Sequence, residues 1–185
     1  MKVLVTGNGG REHALAWKVY QSPEVTEVLV TPGNAGTASE PGIRNVDIDV
    51  MDIAGQIALV KTEGIDLVIV GPEAPLVAGA VDQFNEAGIR CFGPSKACAQ
   101  LEGSKDFTKQ FLARHNIPTS AYQTFSELEP AIQYARNMTP PIVVKADGLA
   151  AGKGVVVAAD HGEAERALKD MLEENAFGDA GARVV

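Results

Sequence analysis

Residues 2–12 read KVLVTGNGGRE: a short run rich in β-branched residues, then a glycine-rich turn, then the opening of a helix. A strand that runs through such a turn into a helix is the first half of a βαβ unit. Similar β-rich runs recur along the first half of the chain. They predict strands at Lys2–Thr6, Glu27–Thr31, Val46–Ile48, Ile65–Val70 and Arg90–Phe92.

Helical spacing separates several of these strands. Ile53, Ile57 and Val60 repeat at i, i+4 and i+7, which places them on one helical face. Residues 67–70 are continuously apolar, as in a parallel sheet that is covered on both faces. Because crossovers between parallel strands are right-handed, we predict a doubly wound α/β domain with its ligand edge at the carboxyl ends of the strands.

A second, smaller domain is expected after Ile117-Pro118-Thr119, so we divide the chain into residues 1–120 and an α+β domain at residues 121–185. The chain ends in Ala182–Val185, which starts a further strand, and we expect the polypeptide to continue beyond it. The other elements expected in this domain are a strand at Tyr122–Phe125, a helix opened by a capping box at Ser126–Glu129, paired strands at Ile142–Ala146 and Gly154–Ala159, and a helix capped by Asp160.

Composition excludes several classes of protein. With 45% hydrophobic and 22% charged residues the chain can bury a core, and a net charge of -8 argues against nucleic acid or an anionic membrane as partner. No apolar run approaches the ~20 residues of a membrane span, and no signal-peptide pattern opens the chain, so we expect a cytoplasmic protein. Cys91 and Cys98 lack the spacing of a zinc or redox motif.

The first glycine loop, at residues 7–12, is a candidate anion site. It follows a strand and opens a helix, so its backbone N–H groups and the helix dipole favour a negative ligand. Glu12 replaces the third glycine of the dinucleotide fingerprint, and a single phosphate therefore suits the loop better, with Arg11 adding charge-assisted hydrogen bonds. A tight turn beside a solvated arginine is the alternative.

A second loop, at residues 71–76, reads GPEAPL and presents one carboxylate at the same predicted sheet edge. Glu73 is suited to bind ribose hydroxyls there. Proline and glycine also turn a chain without any ligand, so both interpretations stand.

The strongest pattern lies at residues 145–154, KADGLAAGKG, between two predicted strands. Small residues allow phosphates to approach the backbone, and Lys153 supplies a charge. The pattern is not a Walker A loop, because it is one residue short and has Gly154 where Ser or Thr would hold magnesium. Lys145 ends an apolar strand, where an ammonium group either meets an anion or exits to solvent.

Lys105 lies in the first turn of a helix that Ser104 is suited to cap. A cation at a helix N-terminus is slightly unfavourable, which indicates a phosphate partner. A solvated lysine is the simpler alternative.

Together these motifs resemble those of the glycinamide ribonucleotide synthetase family, the bacterial phosphoribosylamine–glycine ligases. The resemblance covers the whole chain and lies in residues 2–13, 70–76, 101–105, 145–155 and 175–181. It implies a pre-ATP-grasp, Rossmann-like first domain and a small ATP-grasp lid subdomain, with the main ATP-grasp sheet beyond Val185.

The resemblance also implies a reaction. ATP with Mg²⁺ or Mn²⁺ phosphorylates the carboxylate of glycine, and the amine of 5-phosphoribosylamine attacks the acyl phosphate to form glycinamide ribonucleotide in purine biosynthesis. The ATP-binding residues that it implies are Lys105, Lys145, Gly148, Ala150, Ala151, Gly152, Lys153 and Gly154. The residues that it implies for the substrate phosphate and ribose are Asn8, Gly9, Gly10, Arg11, Glu12, Pro72, Glu73 and Pro75.

We expect the catalytic side chains, glycine site and metal ligands to lie beyond Val185, so that residues 1–185 alone are inactive. The partners of this protein are then small molecules, and we expect a transient handoff of phosphoribosylamine from the enzyme that makes it. Two alternatives stay open: another ATP-grasp carboxylate–amine ligase, and a nucleotide-binding module without catalysis.

Overall fold

The structure is a computed structural model that describes residues 1–150, 153–174 and 178–185. It divides into two compact units, Met1–Ala99 and Gln100–Val185. The sequence predicts a domain boundary at residue 120, about 20 residues after the division between these units. That boundary stays a prediction. None of the helices in the described ranges has the length and apolarity needed to cross a membrane.

The first unit is built on a five-stranded sheet in the order β3-β2-β1-β4-β5, and all its strand pairs are parallel. This confirms the predicted doubly wound α/β fold. The strands are β1 Lys2–Gly7, β2 Glu27–Pro32, β3 Ile43–Asn45, β4 Leu67–Val70 and β5 Cys91–Phe92. The helices are α1 Gly10–Tyr20, α2 Ala35–Ser39, α3 Ile53–Glu63, α4 Glu73–Ala78 and α5 Ala80–Glu86, and α6 Lys96–Gly103 runs across the division between the units.

Both faces of this sheet are covered, because alternate residues of a strand point to opposite sides. Val3 and Val5 of β1 share one cluster with Ala16 of α1, whereas Leu4 lies in the opposite cluster with Phe84 of α5. Burial of each large aliphatic or aromatic side chain contributes about 1.5–3 kcal/mol relative to exposure. The strands are continuously apolar because each strand contributes side chains to a core on each face of the sheet.

The predicted third strand at Val46–Ile48 is wrong, and the strand runs from Ile43 to Asn45. The register sets Val28 of β2 opposite Ile43, whose side chain is buried. Beyond Asn45 the N–H of Val46 still donates to the carbonyl of Val30 in β2, and the N–H of Ile48 then donates to the carbonyl of Val46 in a tight turn.

The second unit packs helices on a small antiparallel pair, β6 Ile142–Lys145 and β7 Val155–Ala158, which confirms the predicted paired strands. Its helices are α7 Lys105–Arg114, α8 Leu128–Arg136 and α9 His161–Leu172, with a short 3₁₀ turn at Gly178–Gly181. Asp160 caps α9 as predicted, since its side chain accepts a hydrogen bond from the N–H of Glu163.

Two local predictions in this unit are wrong. The residue that caps α8 is Glu127 rather than Ser126, and no side-chain capping bond forms. Pro130 then occupies the third helical position and has no N–H to donate to a cap. The predicted strand at Tyr122–Phe125 reduces to one bridge between Phe125 and Val184, and Val184 also bridges Ala146, the residue after β6.

Candidate functional site

The two candidate loops of the first unit meet at the carboxyl edge of the sheet, as predicted. Strand β1 ends at Gly7, and the N–H of Gly71 donates to the carbonyl of Thr6 at 3.1 Å. The loop after β2 reaches the same edge, because the N–H of Gly33 donates to the carbonyl of Gly7. Three loops thus surround the N-terminus of α1, whose first N–H groups have no partner within the helix.

Glu12 occupies the inside of this arrangement. Its side chain is buried, with 3% of the residue exposed, and its Oε2 accepts a hydrogen bond of 2.8 Å from the N–H of Gly9. A Cβ atom at Gly7 or at Gly71 would come within 2.2 and 2.4 Å of the Glu12 Cγ. Gly7 and Gly71 therefore leave space for the Glu12 side chain, which joins the loops. The Glu12 carboxylate already accepts the hydrogen of the Gly9 amide.

Arg11 and Glu73 form an ion pair at the outer side of the loops. Both terminal nitrogens of the guanidinium lie 3.2 Å from the two carboxylate oxygens, and Nε donates to Glu12 at 3.0 Å. The hydrogen bonds from Arg11 hold the pKa of Glu73 below its ordinary value. The sequence placed both residues at one edge, but it did not predict that they neutralise each other.

The other residues expected at this edge have different environments. Gly10 is exposed at the start of α1, and Asn8 accepts a hydrogen bond through its carbonyl from the Asn34 side chain at 2.9 Å. Pro72 precedes α4 and Pro75 is buried within it, so Pro75 contributes packing.

A polar network that the sequence did not single out lies beneath the loop after β2. The hydroxyl of Thr37 donates to Asn45 Oδ1 at 2.7 Å, and Asn45 Nδ2 donates to the carbonyl of Asn34. A Cβ at Gly33 would lie 2.3 Å from Asn45 Oδ1. The only signal for this network was the glycine-rich character of residues 32–36.

In the second unit, Lys105 lies at the first position of α7, with Ser104 as the cap that accepts from the N–H of Phe107. The ammonium group of Lys105 donates to the carbonyls of Asp147 and Gly148 at 3.4 and 3.1 Å. The helix that carries Lys105 is therefore joined to the root of the glycine-rich loop.

Three lysines converge on one cavity of about 270 Å³ in this unit. Lys105 and Lys145, both expected from the sequence, line it together with Lys109 one turn further along α7. Burial holds the pKa values of Lys105 and Lys109 below the ordinary lysine value, and the charge of Lys145 acts in the same direction. Clustered cations that are partly withdrawn from water favour a polyanionic ligand.

Lys109 was missed by the sequence analysis. Its ammonium group donates to the Thr119 hydroxyl at 2.8 Å and the Ser120 carbonyl at 2.9 Å, and it lies 5.3 Å from the centre of the Tyr122 ring. The spacing from Lys105 to Lys109 is one helical turn, and this was the available signal.

A second cavity, of about 350 Å³, lies beside the first. Lys109, Lys145 and Val185 line both cavities, and the aromatic rings of Tyr122 and Phe125 contribute to the wall of the larger one. A mainly apolar cavity joined to a cationic one suits a ligand with a flat hydrophobic group and an anionic tail.

The glycine-rich loop is described at both ends. The N–H of Ala146 donates to the carbonyl of Gly154, and Lys153 is exposed. Gly148 lies so close to Ala180 that a Cβ would be 2.9 Å from the Ala180 backbone. The sequence also assigned ligand contacts to Ala150, which ends the described part of the loop, and to Ala151 and Gly152, which lie outside the described residues, as do residues 175–177.

The described side chains do not by themselves form a site for the Mg²⁺ or Mn²⁺ that the resemblance implies. Across the described ranges, no three His, Cys, Asp or Glu side chains are grouped so that they could hold a metal ion.

A solved structure shares the fold of this chain. The biotin carboxylase domain of Hydrogenobacter thermophilus 2-oxoglutarate carboxylase, in complex with MgADP, ADP and bicarbonate, matches 97% of this chain and 42% of its own with a TM-score of 0.74 at 18% identity. A model of the ATP-grasp (A) domain of phosphoribosylglycinamide synthetase matches residues 103–185. The fold and the domain match thus define a chain of the ATP-grasp class.

The phosphoribosylglycinamide synthetase N-domain model matches residues 1–102. This chain belongs to the phosphoribosylglycinamide synthetase family. It is 65% identical over 185 residues to a phosphoribosylamine–glycine ligase of Vibrio parahaemolyticus, and spans 43% of that protein's length. A phosphoribosylamine–glycine ligase of Thermotoga maritima, solved as a crystal structure, is 28% identical, with a TM-score of 0.80 over all of this chain and 42% of the other.

Proposed function

We propose that this chain supplies the sugar-phosphate domain and part of the ATP site of a ligase that joins glycine to 5-phosphoribosylamine. The products are glycinamide ribonucleotide, ADP and phosphate, formed through a glycyl phosphate. The observation that carries the proposal is the convergence of Lys105, Lys109 and Lys145 on one cavity at the root of the glycine-rich loop. Membership of the family supports the identity of the substrates.

The lysine-lined cavity would hold the triphosphate of ATP. Phosphoryl transfer needs positioning and charge neutralisation more than a nucleophilic side chain, and lysines held at a cavity wall supply both. The adjoining cavity, with Tyr122 and Phe125 in its wall, would take the base. Lys153 and the glycines at residues 148–154 would approach the phosphates through the loop. Mg²⁺ or Mn²⁺, when bound, would neutralise phosphate charge.

The sheet edge of the first unit would hold the phosphate and ribose of phosphoribosylamine. The N–H groups at the start of α1 and the guanidinium of Arg11 are donors of the kind that phosphate prefers. Glu73 already accepts hydrogen bonds, and its carboxylate is equally suited to ribose hydroxyls. We further propose that the enzyme is cytoplasmic and receives the unstable phosphoribosylamine by transient handoff.

A chimaeric enzyme tests this function. Residues 1–185 replace the aligned segment of the Vibrio parahaemolyticus ligase, which is 65% identical to them. We expect ADP formation that requires glycine and phosphoribosylamine together. A folded chimaera that forms ADP with bicarbonate or alanine instead would favour another ATP-grasp ligase. A folded chimaera that turns over no ATP but binds NAD, unaffected by ribose 5-phosphate, would favour a non-catalytic module.

A further inference from the structure

Asp147 has an unusual position for a residue at the mouth of a nucleotide loop, because its carboxylate faces a helix terminus. Its Oδ1 accepts a hydrogen bond of 2.8 Å from the N–H of Asp106 in the first turn of α7. The hydroxyl of Ser104 donates to the same carboxylate at 3.1 and 3.2 Å. Only 14% of the Asp147 side chain is exposed. A negative charge at this end of a helix is favourable, and here it comes from a distant part of the chain.

The backbone of Asp147 binds the same helix. Its carbonyl accepts from the N–H of Lys105 at 3.2 Å and from the Lys105 ammonium at 3.4 Å. The Gly148 carbonyl accepts from that ammonium at 3.1 Å. An ammonium group has three hydrogens, so these two carbonyl contacts orient Lys105 and leave one hydrogen for a ligand in the cavity.

A second layer holds the carboxylate in place. Arg183 Nη1 lies 3.0 Å from Asp106 Oδ2 and 3.7 Å from Asp147 Oδ2, and the N–H of Asp147 donates to the Arg183 carbonyl at 2.9 Å. Asp106 also accepts from Gln110 and Thr124. Each oxygen therefore has a partner, and the Asp147 carboxylate is directed to α7 rather than to the lysine ammonium.

We propose that Asp147 is a positioning residue for nucleotide binding, which acts by fixing Lys105 relative to the glycine-rich loop. The inference rests on the proposed function, since it takes ATP phosphates as the ligand of Lys105. Asp147 itself touches no phosphate in this scheme. Its carboxylate ties down the helix start, and its carbonyl directs the lysine toward the cavity.

Steady-state kinetics of the chimaera test the proposal. We expect Asp147→Ala to raise KM for ATP at least about tenfold, as for a lost charge-assisted contact, with a smaller effect on KM for phosphoribosylamine. Asp147→Asn keeps one carbonyl oxygen to accept from Asp106, and it should recover part of the loss. Asp160→Asn is the matched control, because Asp160 caps α9 in the same manner but has no contact with Lys105. An Asp147→Ala enzyme that folds with an unchanged KM for ATP overturns the proposal.

A second measurement does not depend on ligase activity. The charged groups that act on Lys105 are Asp147, Lys145 and Glu102, and Asp147 raises the pKa of the lysine. Loss of that charge in Asp147→Asn should therefore increase acetylation of Lys105 at pH 8 by about twofold or more, relative to exposed Lys169 in the same chain. An unchanged ratio contradicts the positioning role. A changed ratio in a chimaera that turns over no ATP separates failure of the proposed function from failure of this inference.

Discussion

The guanidinium of Arg11 binds the carboxylate of Glu73 through both of its terminal nitrogens, each at 3.2 Å. The first loop and the loop after β4 are thereby bridged by an ion pair at the proposed phosphate site. A phosphate that binds Arg11 must compete with this carboxylate. Glu73 therefore holds the two loops together through Arg11 and also weakens the binding of an anion there.

This competition predicts that Glu73→Gln strengthens binding of inorganic phosphate to the chain. Removal of the negative charge frees Arg11, and since the pair is about half exposed the gain is limited to about fivefold. Calorimetric titration at low ionic strength measures it. Glu40→Gln is a suitable control, because that carboxylate contacts His13 rather than Arg11. Weaker or unchanged phosphate binding in Glu73→Gln would contradict the competition.

The fit between Glu12 and Gly71 predicts a strong steric effect. A Cβ at Gly71 would lie 2.4 Å from the Glu12 Cγ and 2.6 Å from Oε1. Gly71→Ala should lower the free energy of unfolding by about 1–3 kcal/mol, as for overpacking of a filled site. Adding Glu12→Ala should relieve the clash, so that the double variant loses less than the sum of the single variants in urea unfolding. Additive losses would show that the two residues are not coupled.

The assignment of the two candidate sites to different ligands predicts opposite effects of two charge removals in the chimaera. Lys145→Ala should damage use of ATP far more than binding of phosphoribosylamine, because Lys145 lines the cavity with Lys105 and Lys109. Arg11→Ala should do the reverse. Loss of a charge-assisted contact raises the affected KM by roughly tenfold or more. Lys169→Ala, on the exposed side of α9, is the control, and unchanged kinetics in either site variant refutes its assignment.

The ion pairs of Glu27 predict a pH-dependent contribution to stability. Hydrogen bonds from Lys2, and then from Arg44, lower the pKa of Glu27. A lowered pKa in the folded state stabilises the protein above the ordinary carboxyl pKa, and this stabilisation is lost as pH falls through the folded value. With screening at a partly exposed site, Glu27→Gln should cost about 0.2–1 kcal/mol at pH 7.

The cost of Glu27→Gln should be smaller at pH 3 than at pH 7, because the wild-type carboxyl takes up a proton and loses its ion pairs as pH falls toward and through its lowered pKa. Urea unfolding at the two pH values provides the comparison. Glu86→Gln, which changes an exposed carboxylate of α5, should show little effect at either pH. An equal cost of Glu27→Gln at pH 7 and pH 3 would exclude an electrostatic origin.

Much of the fold was predictable because local pattern and tertiary structure agree. The apolar runs of β1, β2 and β4 have only one way to bury both faces, and the predicted helix face of Ile53 and Val60 is buried. The prediction failed at β3, where the paired residues Arg44 and Asn45 are polar. It was wrong again at α8, which begins one residue later than the predicted capping box, with Glu127 as its cap and Pro130, which has no N–H, at the third position.

The candidate sites were predictable in location and only partly in content. A strand that ends in glycines marks a sheet edge, and a lysine that ends an apolar strand marks a cavity wall. Lys109 was missed because one lysine on a helix carries no local signal of what it faces. Glu12 stays a predicted ligand contact, and the sequence does not show that Gly7 and Gly71 also leave space for its side chain.

The sequence by itself determined the doubly wound first unit, the glycine-rich loop between paired strands and the presence of cations beside it. These follow from periodicity, glycine placement and strand ends, which act over a few residues. Only the tertiary structure decided which charges meet: Arg11 with Glu73, Asp147 with the start of α7, and three lysines around one cavity. Such pairings depend on distances between residues far apart in the chain, and those distances are set by how the elements pack.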